Sequence, residues 1–135
     1  PEERIMTDDR SLETLGNFTF PMVEPLSDNP SLSDLSTLLV TENAHLPRAL
    51  AYHHAILPGK NIEGSPCEGN YAPGKIVTLC HNAIMRRLRN TPTPKLAHEF
   101  LKRDHPFYQP GWYNKSMFCR KATLALKCAK WAVGL

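Results

Sequence analysis

Apolar residues recur at three- and four-residue intervals along the C-terminal half of the chain. Ile76, Leu79, Cys80, Ala83, Ile84 and Leu88 do so after Lys75, predicting an amphipathic helix over 75–90. Asn90-Thr-Pro-Thr-Pro94 ends that pattern. Thr93 is placed to cap a second helix over 94–104, with Pro94 at its first position and Leu96, Ala97, Phe100 and Leu101 as its stripe. Gln109-Pro-Gly-Trp112 reads as a turn with Pro second and Gly third. Asn114 then caps a last helix over 115–133. Its expected inner face is Phe118, Ala122, Ala125, Ala129 and Val133, widened by Leu124, Cys128 and Trp131.

The N-terminal part is less regular. Residues 1–30 show no sustained period and contain Pro21, Pro25 and Pro30, so they read as an irregular, acidic arm. Leu15, Phe18, Phe20 and Met22 are its expected anchors. Ser31 to Asp34 has capping-box spacing, and Leu32, Leu35, Leu38 and Leu39 extend it into a short helix over 31–41. Pro47 suits a first helical turn, and 48–57 continues as helix until Pro58-Gly59. Residues 58–74 are rich in Gly and Pro and read as a long loop. The expected fold is all-α, with about five helices and the last three packed antiparallel. The arm covers residues 1–30 and a single helical domain residues 31–135.

Composition adds bounds. At 135 residues with 41% hydrophobic positions, the chain is one domain long and able to bury a core. No apolar run reaches the 18 or so residues of a membrane span. Beginning at Pro1, the chain reads as a fragment, a processed product or a trimmed piece.

Charge changes the picture more. The net +3 conceals a split: residues 1–42 hold nine acids and two bases, residues 43–135 fourteen bases and four acids. Such opposition points to a polyanion-binding surface, or to an acidic arm lying on a basic body; two solvated faces that merely differ is the plainer alternative. On helical wheels, Lys75, Arg86 and Arg89, then Lys95, Lys102 and Arg103, then Arg120, Lys127 and Lys130 fall off the expected apolar stripes. Bases so placed form a solvent face able to contact phosphates. Six of the eleven aromatics lie between residues 100 and 118. They read as a packing cluster, with Tyr108 and Trp112 as the members expected to reach solvent and stack on unpaired bases.

Other chemistry is weakly signalled. Cys67, Cys80, Cys119 and Cys128 form no C-x-x-C pair, and no metal or cofactor is called for. Reduced thiols in a cytoplasmic or nuclear protein are the preferred reading, with two disulfides in a secreted protein as the alternative. Asn17 and Asn114 begin glycosylation sequons. No phosphate loop, nucleophile elbow or zinc-protease motif occurs, so no enzyme is expected. Leu35, Leu38 and Leu39 match a groove-docking L-x-x-L-L helix in an acidic, Ser-rich setting, although an ordinary core stripe explains them as well. The leading expectation is a non-enzymatic binding domain for nucleic acid or another polyanion. A protein–protein adaptor, with the acidic half as a contact for a protein partner, is second. A small secreted disulfide-held domain is third.

Overall fold

The computed structural model describes residues 10, 12–23, 36–70, 72–89 and 93–134. In chain order these form α1 (Gly16–Val23), β1 (Thr37–Glu42), α2 (Leu46–Ile56), β2 (Ile62–Cys67), α3 (Lys75–Leu88), α4 (Pro94–Asp104) and α5 (Met117–Ala132). Single 3-10 turns at Pro106–Tyr108 and Trp112–Asn114 join α4 to α5.

The all-α expectation is overturned by a two-stranded parallel sheet, paired from Thr37 with Ile62 to Glu42 with Cys67. The helix expected over 31–41 is a strand from Thr37 onward, and Ser31–Asp34 lies outside the described residues. Local chemistry explains the strand. Thr37, Val40 and Thr41 are β-branched, which favours extended backbone. Their neighbours alternate, with Leu38 and Val40 outward and Leu39 packed on the core. The partner strand falls inside the stretch expected to be a loop. Parallel neighbours need a long crossover, and α2 supplies it. Pro47 sits in its first turn, and Ala49, Tyr52, His53 and Ile56 are buried.

Residues 16–23, expected to belong to an irregular arm, are helical despite Pro21. Leu15, Phe18 and Phe20 are buried in the main cluster. Phe20 meets His98 of α4 edge-on at 4.6 Å and stacks on Tyr108 at 5.3 Å.

The packing of the last three helices is uneven: α3 lies directly against α5, whereas α4 packs mainly on α1. Cys80 of α3 forms a disulfide with Cys128 of α5, their Cα atoms 5.2 Å apart. Arg86 Nη1 donates to the Ala132 carbonyl at 3.3 Å. Both links advance in the same direction along the two helices, so α3 and α5 run parallel. Phe100 of α4 then packs on Trp131 at 5.1 Å, closing the core.

Of the expected inner face of α5, the widening members pack inward and the central row does not. Cys128 and Trp131 are buried and Leu124 packs against the cluster, whereas Phe118 and Val133 are 81% and 72% exposed. Its cap is Ser116, whose hydroxyl accepts from the Cys119 N–H, rather than Asn114. The α4 cap is as expected, Thr93 accepting from Leu96 N–H. So is the turn: Trp112 N–H bonds to the Gln109 carbonyl, with Gly111 at φ 72. Only glycine takes that conformation without strain at the third position of such a turn.

Candidate functional site

The bases expected to contact a polyanion are distributed by their helices rather than gathered in one cluster. Lys75 is exposed at the start of α3, and Arg86 and Arg89 are exposed at its far end. Eleven residues of helix put Lys75 and Arg86 about 16 Å apart along the axis. Because α3 and α5 are parallel, Arg86 lies at the C-terminal end of α5, where Lys130 is exposed and Lys127 half-buried. Cations are favoured there by the negative ends of two aligned helix dipoles. Lys95, Lys102 and Arg103 are exposed on α4, and Arg103 pairs with Asp104 at 2.9 Å. Arg120 is half-buried near the core side of α5, and its Nε donates to the Lys115 carbonyl at 3.0 Å. Lys115 and Lys121 are exposed bases of the same stretch that the helical-wheel reading passed over.

The expected stacking residues face inward. Trp112 is 4% exposed, tilted against Phe107 with Lys115 Nζ over its ring. Tyr108 is half-buried between Phe20 and His105, and its hydroxyl accepts from the Leu12 N–H. Large aromatics at this corner serve packing. The L-x-x-L-L reading is corrected as well. Leu38 and Leu39 occupy opposite sides of β1, so they cannot form a helical docking stripe, and Leu35 lies outside the described residues.

A cleft of about 250 Å³ opens between the lead-in to α1, α2, α3 and α5. Glu13, Arg48, Tyr52, His81 and His105 line it, with Leu124 and Ile84 as an apolar floor. Glu13 stands at the start of α1, where its two carboxyl oxygens accept from the Leu15 N–H at 2.7 Å and the Gly16 N–H at 2.5 Å. Burial pushes its carboxyl up to about 7, against the opposing pull of those two donors and Arg48. His105 is pushed down to about 4 by burial. Its Nδ1 accepts from the Phe107 N–H, which places the ring proton on Nε2, and its ring stacks on Trp131 at 5.6 Å. His81 lies edge-on to Tyr52 at 4.9 Å and is lowered first by burial, then by Arg48. Neither Glu13 nor His105 stands out by spacing or motif in the sequence, because the first begins a helix inside an apparently irregular segment. Glu13 caps a helix and His105 holds a turn, so these two groups of the cleft serve the fold.

The described residues contain no group of three side chains able to hold a metal, and no helix long and apolar enough to cross a membrane. Cys80 and Cys128 are bonded, correcting the expectation of reduced thiols, while Cys67 and Cys119 are free and exposed. No family model, curated protein or solved structure matches the chain.

Proposed function

We propose that this chain is a non-enzymatic binding domain, braced by Cys80–Cys128, that engages a polyanionic surface through its C-terminal basic helices. One observation carries the reading: residues 105–135 contain five bases and no acid. Lys115, Lys121 and Lys130 of that stretch are exposed. Arg86 and Arg89 join them from α3. Nucleic acid has no special claim among polyanions, because the aromatic pair expected to stack on bases is packed inside. The disulfide favours an oxidising compartment, and hence the secreted alternative over the intracellular one.

Retention on immobilised heparin over a salt gradient tests the reading. Binding should weaken steeply as salt rises, because each neutralised anionic group releases counterions. Replacing Arg86, Arg89, Lys121 and Lys130 by Ala should shift elution to lower salt with unchanged helicity. Elution of the parent chain without retention at low salt would end the proposal.

A further inference from the structure

α5 is apolar on two sides. Leu124, Cys128 and Trp131 face the core. Phe118, Ala122, Leu126, Ala129 and Val133 recur at four, four, three and four residues on the other side. At 100° per residue, Leu126 lies about 200° around the helix from Leu124. This second stripe is about 22 Å long and meets water: Phe118 is 81%, Leu126 67% and Val133 72% exposed. Lys121 and Lys130, both exposed, lie about 80–100° to either side of it. Met117 and Tyr113 extend the exposed apolar surface beyond its N-terminal end.

We infer that the outer face of α5 docks in the plane of an anionic lipid bilayer, its apolar stripe entering the acyl boundary and its flanking lysines meeting headgroup phosphates. The inference rests on the polyanion reading and narrows its partner to a lipid surface. Charge complementarity makes the choice. A cationic flank on each side of an apolar stripe matches an interface that is anionic at the surface and apolar just beneath. Lysine stems cover apolar surface while their ammonium groups stay with the headgroups. A nucleic-acid backbone would satisfy the lysines and leave the stripe in water. A second copy meeting this face through a two-fold axis would set the same lysine-flanked patch against itself, like charge near like. The helix is too short to span, so the predicted state lies on the surface.

Co-sedimentation with phosphatidylcholine vesicles, with and without phosphatidylserine, tests this on the full chain. Binding is expected only to the anionic vesicles. The double variant Phe118→Ser/Leu126→Ser removes two exposed side chains, so it should fold normally by circular dichroism. It should lose at least about tenfold in vesicle affinity and keep its heparin retention. Lys121→Ala/Lys130→Ala should weaken both. An environment-sensitive dye on Cys119, in a Cys67→Ser background, should shift to the blue on anionic vesicles only. Heparin or oligonucleotide binding without vesicle binding would overturn the lipid inference and leave the polyanion reading standing. Vesicle binding indifferent to the Phe118/Leu126 change would also overturn it. So would a dimer in solution that the double variant dissolves, if no vesicle binding accompanies it. Failure on heparin and vesicles alike would remove both readings.

Discussion

Glu13 and His105 share one cleft and are moved by burial in opposite senses of charge. Glu13 is raised from 4.5 to about 7, so its neutral form suits the fold. Its contribution is fully present below pH 4.5 and is lost as pH rises through 7. His105 is lowered from 6.5 to about 4. Its contribution is fully present above pH 6.5 and is lost as pH falls through 4. Between pH 4.5 and 6.5 the two slopes oppose each other. Glu13→Gln keeps a neutral side chain at every pH. Relative to the parent, the variant should therefore gain stability steadily from pH 4.5 to 7, by on the order of 3 kcal/mol. Urea melts at four pH values check this, and a constant difference would refute the shift. His53 offers a second test. It is fully buried, and neither ring nitrogen has a hydrogen-bond partner among the described residues. An unpaired buried polar group costs about 1–3 kcal/mol, so His53→Leu should raise the melting temperature.

Which of two apolar stripes a helix buries is a question its sequence can pose without answering. Both stripes of α5 are visible in the three-and-four spacing, but the row read as the centre of the inner face is the exposed one, and the residues read as widening it carry the packing. Phe118, Ala122, Ala125, Ala129 and Val133 form the longer row. Trp131 and Cys128 carry the burial, because Trp131 reaches Phe100 and His105 and Cys128 is tied to Cys80. Those partners lie 26 to 48 residues away, beyond any periodicity window. α4 was legible to its cap, since Thr93 and Pro94 act locally. β1 was not, because Leu38 and Leu39 fit a helical spacing while the pairing that decides the matter comes from residues 62–67, which carry Gly64 and Pro66. For the candidate surface, the sign of the charge was legible and its geometry was not. Wheels cannot show that α3 packs directly on α5 while α4 packs mainly on α1. The face assignment has a direct test: Leu124→Ala should cost roughly 1–3 kcal/mol through lost packing, whereas Leu126→Ala should stay within about 0.5 kcal/mol. Equal losses in chemical denaturation would put the core on the other side of α5.

The whole molecule is held across its C-terminal half by a bond that closes a 48-residue separation. Loop-closure entropy of that length corresponds to about 4 kcal/mol. Cys80→Ser/Cys128→Ser should therefore unfold at clearly lower denaturant concentration, and adding reductant should leave the variant unaffected. Charge is organised on the same scale. Removing residues 1–30 would delete Leu15, Phe18 and Phe20 from the core, so it would unfold the domain rather than test the acidic segment. Residues 1–9 offer a cleaner cut: they carry four acids and one base, and their loss raises the net charge from +3 by three. Self-repulsion aside, a more positive chain attracts a polyanion over distances set by the Debye length, about 10 Å at 0.1 M salt. Deleting 1–9 should therefore tighten heparin binding and speed association at low salt, with the gain shrinking as salt rises. Titration of both chains at two ionic strengths decides it. If the gain persists undiminished in high salt, the segment acts by occupying the basic surface at short range. If no gain appears at any salt, the acids of residues 1–9 do not act on the face that binds.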